Sequence, residues 1–127
     1  MTAVERFAVS IPDEALDDVR QRLARTRFAP DYANEDWRYG TNGAYLQKLT
    51  AYWRDQYDWR HHEAEMNRFD HFRTDIRGVP IHFIHQRGKG PRPLPLILSH
   101  GWPWTFWDMH KVIAPLADPA SFGGAAE

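Results

Sequence analysis

The sequence predicts an α/β fold: a helical leader, then a hairpin, then a buried strand that runs through a tight turn into a helix. Three observations carry this expectation. Apolar residues recur at helical spacing through the first half of the chain, and from His71 the period changes to alternation. Residues 94–99 (LPLILS) then form a short, mostly apolar run without alternation, as expected of a parallel strand covered on both faces. The strand, turn and helix open a βαβ unit whose next parallel strand does not follow within the 127 residues.

The first helix is expected from Pro12 or Asp13 to about residue 24. Pro12 suits a first-turn position, Asp13 and Glu14 sit at the positive end of the helix dipole, and Arg20, Arg22 and Arg25 lie near the negative end. Leu16, Val19 and Leu23 make its apolar stripe. Residues 28–40 read as an irregular connection punctuated by Pro30, Asn34 and Gly40. A second helix is expected over residues 42–57, with Leu46, Leu49 and Trp53 on one stripe and Tyr45 and Tyr52 beside it. Asp58 then caps a shorter helix through about residue 68.

In residues 71–76, Phe72, Thr74 and Ile76 face one way and His71, Arg73 and Asp75 the other. Arg77-Gly78-Val79-Pro80 reads as the turn and residues 81–86 as the returning strand. Residues 87–93 form a loop rich in Gly and Pro. Phe106, Met109, Val112, Ile113 and Leu116 mark an amphipathic helix over residues 105–116.

Composition excludes several classes of function. With 16 basic and 17 acidic residues the chain has no electrostatic footprint for nucleic acid. It contains no cysteine, hence no disulfide framework, thiol nucleophile or thiolate metal site, which suits a cytoplasmic setting. Residues 1–10 lack the apolar run of a signal peptide, and no stretch approaches the ~20 apolar residues of a membrane helix. Aromatic residues make up 14% of the chain and crowd between Trp37 and Trp59. A packed core is the leading expectation for them; the alternative is a surface that docks on a partner or on the rest of its own protein.

Most candidate sites fail on spacing. His62-Glu63 begins a zinc-peptidase motif, but Met66 stands where the second histidine is needed. His82 and His85 are three apart on a strand and point to opposite faces. The serines at 10, 99 and 121 lie in no GxSxG elbow, and no Gly-rich phosphate loop joins a strand to a helix. Neither a metal nor a cofactor is expected. The strongest candidate is His100-Gly101-Trp102-Pro103, between the expected buried strand and the following helix, where open α/β sheets place their ligands. Gly101 permits close backbone approach, and Pro103 sets a turn with a trans or a cis Trp102–Pro103 bond. Backbone N–H groups in such a turn can face a developing negative charge, although the turn could equally serve packing alone.

These residues, taken with the rest of the chain, resemble the N-terminal part of microsomal-type epoxide hydrolases of the α/β-hydrolase superfamily. The resemblance is carried by FAVSIPDEALDDVRQRLARTR at residues 7–27, Tyr39-Gly40, Tyr45-Leu46 through Tyr52-Trp53, and Tyr57-Asp58-Trp59-Arg60. It continues in Asn67-Arg68-Phe69, in GVPIHFIH at residues 78–85, and in HGWP followed by Phe106-Trp107. It implies that residues 1–69 form the family's N-terminal meander and residues 70–127 the start of an incomplete α/β-hydrolase core. It also implies that the Trp102 backbone N–H contributes to an oxyanion hole, with His100, Gly101 and Pro103 shaping the turn. The family usually continues HGWPG, whereas Trp104 follows here, which puts the path into the helix and the width of the pocket at issue.

The reaction implied is opening of a small apolar epoxide by an Asp nucleophile. The resulting alkyl-enzyme ester is hydrolysed by a His-activated water, with two lid tyrosines polarising the epoxide oxygen. The resemblance places all of these beyond Glu127, so the chain alone is expected to be inactive. It is further expected to self-associate unless the remaining hydrolase portion is supplied. The alternatives are a stand-alone interaction domain and a piece of another α/β hydrolase, a dehalogenase or an esterase.

Overall fold

The computed structural model describes residues 3–125. They group into two compact units. Ser10–His62 forms one; residues 3–9 and 63–125 form the other.

The first unit is helical. Helix α1 (Asp13–Ala24) starts behind Pro12, with Asp13 and Glu14 in its first turn and Arg22 in its last, as the charge pattern predicts. Helix α2 (Gly43–Asp55) is capped by Asn42, whose side-chain oxygen accepts from the Tyr45 N–H at 3.0 Å. The two helices lie against each other. The loop before α2 is organised around Asn34, which is only 3% exposed. Its amide donates to the Gly40 carbonyl at 3.2 Å, and its oxygen accepts from the Tyr39 N–H at 3.0 Å. Helix α3 (Trp59–Met66) begins after Asp58, which accepts from the His61 N–H.

The second unit holds a three-stranded antiparallel sheet in the order β1 (Val4–Phe7), β2 (His71–Ile76), β3 (Val79–Ile84). Strand β1 is not among the elements expected from the sequence, in which residues 1–10 carry no strand pattern. The hairpin is confirmed, but its turn is shorter than the expected four residues. Arg77 and Gly78 take φ of 56° and 84°, a two-residue turn with both centres left-handed, and Asp75 accepts from the Gly78 N–H at 2.7 Å. Strand β3 therefore begins at Val79. Pro80 fits there because β3 is an edge strand, where a missing N–H donor costs little.

The continuous run at 94–99 departs from expectation. It is not a strand, and it is not buried: Leu94 is 90% and Ile97 91% exposed. A parallel strand needs hydrogen-bonded neighbours, and the sheet among the described residues ends at β3 without reaching it. The final helical segment is present, as a 3-10 turn at Phe106–Met109 leading into α4 (His110–Ala117). Lys89 ties the Gly-rich loop to the end of α4: its N–H reaches the Ala117 carbonyl at 2.7 Å and its ammonium the Asp118 carboxylate at 2.6 Å.

The aromatic-rich stretch is likewise not a packed core. Trp37, Tyr39, Tyr45, Tyr52 and Trp53 are all exposed, and among the described residues no apolar side chain is buried.

Candidate functional site

The turn at residues 100–104 is built from the backbone. The Trp102–Pro103 bond is cis. The Trp104 N–H donates to the Gly101 carbonyl at 2.8 Å and closes a four-residue turn with the cis proline at its third position. The chain then leaves through Thr105 in an extended conformation. The Thr105 hydroxyl accepts from the Trp107 N–H at 3.2 Å, while the Asp108 carboxylate accepts from the Thr105 N–H at 2.6 Å. This capping box engages the Thr105 and Trp107 N–H groups and directs the chain out of residues 100–104. Hydrogen bonding to the Thr105 backbone, chiefly, holds the Asp108 carboxyl below the usual carboxylate range.

Three of the four expected site residues, His100, Gly101 and Trp102, line one cleft, and Pro103 is not in its lining. Ser99, His100, Gly101, Trp102, Trp104, Asp108 and Met109 line an open cleft of about 230 Å³, beside Pro103. The Trp102 indole is 94% exposed, and its backbone N–H has no acceptor among the described residues. His100 places Nδ1 3.4 Å from the Gly101 carbonyl and is near enough to Asp108 for its charge to help lower that carboxyl. A Cβ placed on Gly101 would meet nothing within 4 Å, so no protein group crowds it. Trp104 avoids the left-handed region that would demand glycine and serves the turn through its own N–H. The exit into the helix is thus kept without a glycine at this position, and Trp104 forms part of the cleft wall.

Behind the turn, Phe106 and Trp107 anchor the segment through contacts between rings. Phe106 meets His82 edge-on at 4.7 Å and His71 at 5.8 Å between ring centroids. Trp107 stacks on His110 at 4.3 Å and meets Phe69 edge-on at 5.8 Å. The Thr-x-x-Asp spacing of the capping box was readable as a helix start. No comparable signal exists for His71 with His82, because only strand register brings them onto one face.

His82 and His85 do point to opposite faces: His82 packs on Phe7 and Phe106, whereas His85 lies beside Phe72. Among the described residues no cluster of three or more His, Cys, Asp or Glu side chains is arranged to hold a metal. No helix there is long and apolar enough to cross a membrane.

Residues 4–109 match the family described as "Epoxide hydrolase N terminus". A putative epoxide hydrolase of Stigmatella aurantiaca is 45% identical over 95% of this chain, and epoxide hydrolase 1 of Oryctolagus cuniculus is 40% identical over the same share. The chain spans 28% of the length of each. Among solved structures, the Aspergillus niger epoxide hydrolase superposes with a TM-score of 0.80 at 34% identity, covering 87% of this chain and 29% of that one. The Bombyx mori juvenile hormone epoxide hydrolase gives 0.77 at 26% identity, covering 89% and 31%.

Proposed function

Because the chain belongs to the epoxide hydrolase N-terminus family, we propose that it supplies the backbone oxyanion donor and the N-terminal wrapping of an enzyme converting apolar epoxides to vicinal diols. The observation that carries this reading is the unengaged N–H of Trp102, held in a closed cis-proline turn at the lip of an open cleft.

The chemistry divides into two steps. A carboxylate attacks one epoxide carbon, the carbon–oxygen bond breaks, and the ring oxygen takes a proton; the product is a β-hydroxyalkyl ester. Water then attacks the ester carbonyl, and the charge gathers on the carbonyl oxygen. A fixed N–H donor aimed at that oxygen stabilises the second transition state without reorganising. Trp102 is assigned that donor. His100, Gly101 and Pro103 hold it in place, and Trp104 narrows the cleft from one side. The nucleophile, the base and the groups that polarise the epoxide are assigned to the remaining hydrolase portion.

On this reading residues 1–69 form the meander and residues 70–127 open the hydrolase core. The exposed run at 94–99 and the exposed aromatic face of α2 favour cover by that hydrolase portion or, in its absence, by a second copy. A cytoplasmic setting is the one we favour, supported by the lack of cysteine.

Purified residues 1–127 should show no turnover of a styrene-type epoxide, measured as diol formation. Joined to the remaining portion of the Stigmatella aurantiaca relative in place of its matching segment, the chain should restore turnover. Diol formation by the chain alone, or failure of a folded chimera to turn over, would overturn the assignment.

A further inference from the structure

His71 is 3% exposed, deep in the second unit, and bonded at both ring nitrogens. Its Nε2 lies 2.7 Å from the Met66 carbonyl at the end of α3, and its Nδ1 lies 2.9 Å from Nε2 of His82. A carbonyl only accepts, so His71 carries its proton on Nε2. Its Nδ1 is then an acceptor in the neutral ring, and His82 donates from Nε2. One backbone carbonyl therefore fixes the tautomers of both rings. The rings stack at 5.2 Å with 15° between their planes, and Phe106 closes their open side. Phe106 is three residues beyond Pro103.

We infer that His71 and His82 form a proton-sensitive latch that seats Phe106 on the sheet and thereby sets the position of the turn at residues 100–104. The pair accommodates one added proton, since a singly charged pair still shares one N–H between Nδ1 and Nε2. A second proton puts N–H against N–H, the shared bond breaks, and two cations face the Phe7 and Phe106 rings.

The groups that set this balance can be named element by element. Strand β1 contributes Phe7 and, on the same face, Glu5 opposite Arg73. Strand β2 contributes His71, Arg73 and Asp75, and α3 the neutral Met66 carbonyl. From the 3-10 turn comes Phe106, with Asp108 occupied by Thr105; from α4 comes His110, stacked on Trp107. Burial first, then the charges of His71 and Arg73, lower His82 from the ordinary 6.5. The sign follows. The latch is whole above about pH 6.5, holds when the pair takes its first proton, and opens below that pH when His82 takes the second beside the charged His71.

The latch as a control on catalysis rests on the oxyanion reading of the turn, but its test involves no turnover. The measurement is a pH titration of residues 1–127 by nitrogen-15 NMR, following both imidazoles and the amides of Trp102, Trp104, Thr105 and Phe106. At pH 8, His71 should be the Nε2–H tautomer. On acidification the four amides should move together with His82, at a midpoint below 6.5. In His82→Gln, whose amide still donates to His71 but does not titrate, the amides should stay near their high-pH positions.

Coupling is reciprocal, so Phe106→Leu should raise the His82 midpoint toward the ordinary imidazole value. The latch is overturned by any of three results: amides that move equally in His82→Gln, amides that stay still while His82 titrates, or a His82 midpoint indifferent to Phe106→Leu.

Discussion

Single side chains determine how the turn is held. Thr105→Ala removes the cap of the segment leaving the turn and should cost about 1 kcal/mol, read as a lower urea midpoint at unchanged slope. The Asp108 half of the same box carries a pH signature. Its carboxyl is held below the usual range by the Thr105 backbone, so its contribution is complete above the ordinary Asp value and disappears only as the pH falls through the lower folded one. The Thr105 amide resonance should report that transition in strong acid, and Asp108→Asn should abolish the titration while leaving a weaker bond. A Thr105 amide insensitive to acid would contradict the box. This box could be read from Thr-x-x-Asp alone, as local chemistry at fixed spacing. The His71–His82 pair could not, because the rings meet across strands whose register depends on the hairpin turn.

The same contrast explains which elements could be foreseen. The helices α1 and α2 follow from apolar stripes, caps and charge placement, and the structure reproduces them within about two residues at each end. Strand β1 is four residues long, too short for a periodic signal. It is positioned by long-range ties: it pairs with β2, and just past its end Asn67 brackets Val9, accepting from its N–H at 2.8 Å and donating to its carbonyl at 2.7 Å. Asn67→Leu removes both bonds and should lower stability by about 1–2 kcal/mol. In hydrogen exchange β1 should open before β2; equal protection of the two strands in the variant would contradict the tie. The hairpin turn invites the opposite change. Arg77 occupies a left-handed position that Asn tolerates better, so Arg77→Asn creates the favoured Asn-Gly pair and should stabilise by on the order of 0.5–1 kcal/mol, seen as a higher thermal midpoint.

For the whole chain, the aromatic side chains of Trp37, Tyr39, Tyr45, Tyr52 and Trp53 and the apolar run at 94–99 share one property: both lie on the surface. Burial is the expectation for the run and the leading one for the aromatic stretch, with a docking surface as its alternative, because composition records how much apolar surface exists, not where its partner lies. Residues 94–99 have the character of a doubly covered strand, but the described residues offer no ladder for it to join. Surfaces of this kind drive association. Sedimentation should show residues 1–127 self-associating at high concentration, and Ile97→Lys should shift the population toward monomer without altering the hairpin resonances. A wild-type chain that stays a compact monomer would contradict this picture.

The oxyanion role rests on one backbone atom, and the most direct measurement isolates it. In the chimera with the Stigmatella aurantiaca hydrolase portion, Trp102→Ala keeps the N–H and removes only an exposed indole, whereas Trp102→Pro removes the N–H itself. Single-turnover kinetics on a styrene-type epoxide should show near-normal ester hydrolysis in the alanine variant. In the proline variant hydrolysis should slow by about 10²–10³-fold, with the alkyl-enzyme ester accumulating and its formation little changed. Equal hydrolysis rates in the two variants, each folded, would show that the Trp102 N–H is not the oxyanion donor.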